Sequence, residues 1–291
     1  MIRILHISDL HFGPFHWDGN DEQLLEKINS YDVDLIINTG DSTSDGLERE
    51  YKQAFEFLRN IRCAPVISII GNHDKRSRSS VEFYKKYIDN PEVIYPEVKC
   101  EVAKKRLFLN TKLRVNEKFT DINFIKEFNI KGDNILIIAL DSNVLYSDDG
   151  FMEISILNKI SEKIKRKNDY LKLILIHHSI LATDQCPLIN SQRVIDFVNE
   201  NKIHYVFCGH THEIDFRGSF DIISNHQFYQ FMCGATSSND MGYYGKNVLI
   251  VYEIFDKRKV KIYKTDILIK NGELLFEEKE IKNQFFIYEE T

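Results

Sequence analysis

Five runs of β-branched and aliphatic residues in this chain each end in a short polar cluster rich in His, Asp or Asn. Residues 2–7 lead into Ser8-Asp9-Leu10-His11, residues 66–70 into Gly71-Asn72-His73-Asp74, and Tyr205-Val206-Phe207-Cys208 into Gly209-His210-Thr211-His212. Two further runs end in Thr39-Gly40-Asp41 and in His177-His178. Open α/β sheets bind ligands outside the carboxyl ends of their strands. Five metal-favouring strand ends therefore point to an α/β fold that gathers them at one edge, around a metal site with hydrolytic chemistry.

The intervening segments support strands alternating with helices. A helix over 22–30 has Leu24, Leu25 and Ile28 on one face, one over 47–60 buries Tyr51, Ala54, Phe55 and Leu58, and a third spans about 79–88 with Ser79 or Ser80 as N-cap. Such βα units imply parallel strands covered by helices. From residue 98 the pattern shifts to short alternating segments at 99–103, 106–109 and 135–140, as a second sheet would; 111–132 is polar and receives no assignment. A helix carrying Ile154, Leu157, Ile160 and Ile164 precedes a strand at 171–176, and another at 191–201 precedes 205–207. The remainder reads as β, with strands at 228–232, 248–255 and 259–265 and a hairpin turn at Asn271-Gly272. The expectation is two sheets face to face with helices outside, in one domain over 1–291 whose β-rich portion from about 235–291 completes the second sheet.

Charge and cysteine usage exclude some functions. Lys and Arg number 38 against 44 Asp and Glu, net −6, so no overall basic field attracts extended nucleic acid. Five cysteines without a CxxC pair argue for a reducing compartment and against a thiolate zinc site, and suit small buried fillers. No segment approaches the roughly 20 apolar residues that span a bilayer. The chain reads as cytoplasmic, with no membrane association.

Asp9, His11, Asp41, Asn72, His177, His210 and His212 are carboxylate, carboxamide and imidazole donors, all hard or borderline ligands. Asp9 and His11 stand one residue apart, where an extended chain aims both side chains to one side. Asp41 matters most, because a carboxylate can bridge two cations about 3.5 to 4 Å apart. Singly each residue has an ordinary structural explanation, as a helix cap, a turn residue or a satisfied core histidine. Six of the ten histidines nevertheless fall in the strand-end clusters, which independent structural roles would not arrange.

In these residues the chain resembles the calcineurin-like metallophosphoesterase family, whose blocks Asp-x-His, Gly-Asp, Gly-Asn-His-Asp, a later strand-end His and Gly-His-x-His all occur in order from Asp9 to His212. The resemblance implies a four-layer αββα sandwich with two mixed β-sheets. It implies Asp9, His11, Asp41 and His212 around one metal, and Asp41, Asn72, His177 and His210 around the other, with Mn²⁺, Fe²⁺ or Zn²⁺ as cofactors. A hydroxide bridging them would attack phosphorus. His73 would face the phosphoryl group, either helping the alkoxide leave or stabilising equatorial charge, with Asp74 hydrogen-bonded behind it.

The chain departs from the pattern twice. Ser179-Ile180 follow His177-His178 where many relatives have Pro, and Ser44 stands where purple acid phosphatases have a tyrosine. Around the metals, Lys75, Arg76 and Arg78 are placed to hold phosphate oxygens or to form a solvated helix entry. Phe12, Phe15, His16 and Trp17 form an aromatic run that either stacks a nucleobase or packs its loop. Arg76, Arg78, Trp17 and His178 are the candidate substrate residues. The stretch Gly40–Gly46 and Asp141-Ser142-Asn143 resemble the cyclic-nucleotide phosphodiesterase branch, which implies a small nucleotide diester as substrate. The alternatives are a phosphomonoesterase or nucleotide pyrophosphatase, then a DNA nuclease or a non-catalytic scaffold.

Overall fold

A computed structural model describes residues 1–96, 121–181, 188–242, 245–257 and 259–281 of the chain. The strands expected at 99–103 and 106–109, together with Cys100 and Cys186, lie outside them.

The first half alternates as expected: β1 (Ile2–Ile7), α1 (Asp21–Asn29), β2 (Leu35–Asn38), α2 (Glu48–Leu58) and β3 (Val66–Ser68). Asn20 caps α1 by accepting from the Glu22 and Gln23 amides. A 3₁₀ turn at His73–Lys75 leads to α3 (Ser80–Phe83), which widens into a π turn over Tyr84–Ile88, so the helix expected at 79–88 is two short pieces. Then come β4 (Phe124–Ile130), β5 (Asp133–Leu140), α4 (Ile154–Ile164), β6 (Leu171–Ile176), α5 (Ser191–Glu200), β7 (Tyr205–Cys208), β8 (Asp215–Asp221) and β9 (His226–Met232). The chain continues through β10 (Asn247–Ile254), β11 (Val260–Lys270) and β12 (Glu273–Ile281).

These strands form two six-stranded mixed sheets, β12-β11-β10-β1-β2-β3 and β4-β5-β6-β7-β9-β8. In the first, β1, β2 and β3 are parallel; in the second, β5, β6, β7 and β9 are parallel, with antiparallel edges β4 and β8. Alternation along β5 shows the layering. Ile135, Ile137 and Ala139 enter the core between the sheets, beside Ile4, Ile37, Leu173, Phe207 and Tyr252. Leu136, Ile138 and Leu140 face the other way, onto Ile156 and Ile160 of α4 and Val194 and Phe197 of α5. On the far side of the first sheet, Leu5, Ile7 and Ile36 pack against Leu24 and Ile28 of α1 and Ala54 and Phe57 of α2. The order is helices, sheet, sheet, helices.

One expectation is corrected. The β-rich tail completes the first sheet, not the second: β10 pairs antiparallel with β1 in the register Ile4↔Tyr252, and β11 and β12 follow outward. The β11–β12 turn is the Asn271-Gly272 hairpin, both residues at positive φ. Cys208 and Cys233 are buried fillers, and Cys63 is half-buried. Among the described residues no helix is long and apolar enough to cross a membrane.

Candidate metal centre

The two sheets deliver different chemistry to one seam. The first supplies Asp9 and His11 after β1, Asp41 after β2 and Asn72 beyond β3; the second supplies His177 after β6 and His210 and His212 after β7. Both carboxylates and the carboxamide thus come from one side and three of the four imidazoles from the other. Asp9, His11, Asp41, Asn72 and His177 are all at most 1% exposed.

The backbone bends sharply to converge them. Asp9, His11, Asp41, His210 and His212 have φ of 53, 52, 51, 80 and 58°. Asp9 and His11 therefore share a side through left-handed turns and not through extended geometry, each such residue carrying a strain of order 1–3 kcal/mol. The turn is held by the Asp9 amide donating to Gly40 O at 3.0 Å and the His11 amide to Asp41 O at 2.9 Å. The glycines beginning two of the clusters allow close approach: a Cβ on Gly71 would overlap the Asp41 backbone and carboxylate, and one on Gly209 would overlap Ser8 Oγ and Asp9 Oδ2.

The donor atoms fall into overlapping groups. His11 Nε2 and His212 Nε2 lie 3.0 Å apart, with Asp9 Oδ1 at 3.9 and 3.7 Å from them. His177 Nε2 is 2.8 Å and His210 Nδ1 3.0 Å from Asn72 Oδ1. Between them, Asp41 Oδ2 stands 3.2 Å from His177 Nε2 and 3.9 Å from His11 Nε2. Ligand atoms of Asp9, His11 and His212, of His11, Asp41 and His73, and of Asp41, His177 and His210 each lie within 4.8 Å of one another.

Burial holds the imidazoles of His11 and His210 well below their ordinary pKa, which keeps them neutral with a lone pair to offer. Burial also opposes charge on His177, but the Asp41 carboxylate outweighs it and lifts that group to about 9. Asp41 is in turn held low: burial alone would raise it, and the neighbouring His177 and His73 prevail. Burial pushes Asp9 up. His177 Nδ1–H donates to Thr39 O at 2.7 Å, which aims Nε2 into the cluster. Two carboxylates, one carboxamide oxygen and imidazole nitrogens converging this closely fit divalent cations.

The remaining predicted residues divide. His73 is at the cluster: its amide donates to Asp41 Oδ1 at 2.8 Å and its Nδ1–H to Ser44 O at 2.7 Å. Arg76 Nη2 faces His73 Nε2 at 3.1 Å, so that nitrogen accepts. Asp74 is not behind His73. Its buried carboxylate instead accepts from the amides of Gly71 and Thr43 and from Thr43 Oγ1, at 2.9, 2.8 and 2.8 Å, tying two strand ends together, and burial lifts it to about 6. Arg76 lies beside the site and Arg78 is exposed. Lys75 is fully buried between Asp141 and Asp121, at 2.6 and 3.1 Å.

Two substrate assignments move inward. Trp17 is 5% exposed, packs with Phe12, Leu24 and Ile28, and donates Nε1–H to Asp21 at 2.9 Å, so its ring is core and not a stacking platform. His178 is fully buried, with Ser142 Oγ on Nδ1 and the Asp148 carbonyl on Nε2, at 2.8 and 2.9 Å, and its ring sits 4.4 Å from that of His210. Phe15 is the aromatic residue at the mouth: 39% exposed, it meets His73 edge to face at 5.6 Å and His11 at 6.2 Å. The run Phe12-Phe15-His16-Trp17 contained it, but nothing in the sequence distinguished it from its neighbours. After His177-His178 the chain is held by Gln230, whose Oε1 accepts from the amides of Ile180 and Leu181 at 2.8 and 3.0 Å.

The profile of the calcineurin-like phosphoesterase family matches residues 2–213. The chain belongs to that family, whose members are hydrolases that use divalent metals. It is 23% identical over 233 residues, covering 72% of this chain and 78% of the relative, to a probable cyclic nucleotide phosphodiesterase of Xenorhabdus bovienii. It is 30% identical over 100 residues to another from Coxiella burnetii, covering 32% of this chain and 40% of that one. Among solved structures it resembles GAP50, the anchor in the inner membrane complex of Plasmodium, with a TM-score of 0.54 at 12% identity, covering 97% of this chain and 89% of that one. That likeness concerns the fold.

Proposed function

We propose that this chain is a binuclear metal-dependent phosphodiesterase acting on a small nucleotide or similar diester in the cytoplasm. The observation that carries the reading is the position of Asp41, whose Oδ2 stands between His177 Nε2 and His11 Nε2 at 3.2 and 3.9 Å. One metal would be held by Asp9, His11, Asp41 and His212, the other by Asp41, Asn72, His177 and His210, with Mn²⁺, Fe²⁺ or Zn²⁺ as candidates. Such a pair supplies charge that neutralises phosphate and lowers the pKa of water towards neutrality.

The chain's own residues supply the rest. His73, aimed by Ser44 O, faces the same space, and its Nε2 is where a proton for the leaving oxygen would be carried. Arg76, which occupies that nitrogen here, is the donor that would turn to a phosphate oxygen. Phe15 offers a ring for the organic part of the diester. The relatives named as probable cyclic nucleotide phosphodiesterases support a diester over a monoester.

The test is a panel of bis-p-nitrophenyl phosphate, p-nitrophenyl phosphate, cyclic AMP and single-stranded DNA, each with Mn²⁺, Fe²⁺ or Zn²⁺. Metal-dependent turnover fastest on the small diesters is expected. Preference for the monoester would replace phosphodiesterase by phosphomonoesterase, and no hydrolysis with any metal would leave a scaffold.

A further inference from the structure

Asn72 can serve a cation only through its carboxamide oxygen, so its amide must be held in one of two flips. Asp148, on the loop between β5 and α4, holds it. An ionised carboxylate only accepts hydrogen bonds, and Asp148 Oδ1 lies 2.9 Å from Asn72 Nδ2. The NH₂ end must therefore face Asp148, which turns Asn72 Oδ1 to His177 Nε2 and His210 Nδ1 at 2.8 and 3.0 Å.

The same residue reaches two more groups. Asp148 Oδ1 also accepts from Arg76 Nη2 at 3.2 Å, and that nitrogen is 3.1 Å from His73 Nε2. The Asp148 backbone carbonyl accepts from His178 Nε2–H at 2.9 Å, and His178 backs the ring of His210. The Asp148 side chain is 57% exposed. A carboxylate so open to water adds little to stability through surface pairing, yet its contacts all lead to the site.

We propose that Asp148 is a positioning residue of this site. Its carboxylate sets the metal-facing amide of Asn72 and the guanidinium of Arg76 beside His73. The inference rests on the binuclear reading above and concerns only one of the two metal positions, the one that includes Asn72. In the other position, the imidazole of His212 has the Asp240 carboxylate 3.7 Å from its Nδ1 and 75% exposed, while the amide of His73 holds Asp41 Oδ1 at 2.8 Å.

Calorimetric titration of metal-free protein with Mn²⁺ tests this in the wild type, D148A, D148N and the neighbouring control D149A. D148A is expected to keep one site at wild-type affinity and to weaken the other about 10- to 100-fold, the usual cost of losing an outer partner of a ligand. D148N, whose carboxamide oxygen still accepts from Asn72 Nδ2, should recover most of the loss, and D149A should show none. Unchanged affinity at both sites in D148A would overturn the proposal, as would D148N binding no better than D148A. If D148A does not fold, D148S gives the same readout. A wild type that takes up no Mn²⁺ would instead sink the binuclear reading itself, and this inference with it.

Discussion

The two sheets are built alike and contribute unlike chemistry. Each contains a run of parallel strands, β1, β2 and β3 in the first and β5, β6, β7 and β9 in the second, whose ends reach the same seam. The first sheet contributes every negatively charged donor of the proposed centre, Asp9 and Asp41, whereas the second contributes only imidazoles, His177, His210 and His212. Neither sheet alone offers a complete set for either metal. A cation bound there joins the sheets, so metal affinity and fold stability should be linked.

Asp41 is the one ligand common to both proposed metal positions, and its removal has the largest expected effect. Asp41→Ala should lose both ions and bring hydrolysis to background, at least about 10³-fold down, since the metals supply several kcal/mol of charge stabilisation. Metal analysis showing full occupancy would take Asp41 out of the bridge. His73→Ala should keep both ions and lose about 10² to 10⁴ in kcat, the range for a positioned acid or base. Wild-type turnover in that variant would refute its role.

A second pair of changes separates the mouth of the site from the core under it. Trp17→Ala should cost about 3–5 kcal/mol of stability, read as a denaturation midpoint, because the ring is buried among Phe12, Leu24 and Ile28. Phe15→Ala should leave the midpoint nearly unchanged and raise KM for a nucleotide diester by about 5- to 150-fold, as expected from a lost base contact of about 1–3 kcal/mol. An unaltered KM would remove Phe15 from the substrate.

Chelation gives an effect that touches both sheets. At a thousandfold excess over Kd each bound ion adds about 4 kcal/mol, and about 2–4 °C per kcal/mol is expected for a chain of this size. Chelator should therefore lower the melting temperature by about 8–16 °C per metal, and no shift would show that the ions do not cross-link the fold.

Acid should weaken both sheets at once. His6 in β1 and His204 before β7 are buried and pushed down to about 3, by burial in both cases and at His204 also by Lys257. A histidine whose folded pKa lies below its unfolded value stabilises fully above pH 6.5, and its contribution falls as the unfolded state takes up the proton. The loss is about 1.4 kcal/mol per pH unit per histidine down to about pH 3, or about 2 kcal/mol each by pH 5. His204→Gln should flatten that slope between pH 6.5 and 4; an unchanged slope would mean that His204 does not stay neutral in the fold.

Much of this site was legible because its signals were local. The Asp-x-His, Gly-Asp, Gly-Asn-His-Asp and Gly-His-x-His clusters follow apolar runs buried on both faces, and such runs are the plainest strand signal. What the chain does not spell out is set at a distance. β4 and β8 are edge strands with half-exposed polar residues, so β8, with Asp215, Arg217, Gly218, Ser219 and Asp221, shows no clear alternation. The tail joins the first sheet because β10 finds β1, a pairing across about the whole length of the chain. Trp17 and Phe15 are two residues apart, and only packing against α1 decides which is core. The partner of His73 is the Ser44 carbonyl, a backbone group that no residue type reveals.

Two divalent ions that share Asp41 would be magnetically coupled through it. Electron paramagnetic resonance of the Mn²⁺-loaded protein tests it most directly. An exchange-coupled spectrum from two bridged ions is expected in the wild type and is expected to be lost in Asp41→Asn. An uncoupled signal in the wild type, or coupling that survives Asp41→Asn, would contradict the sharing.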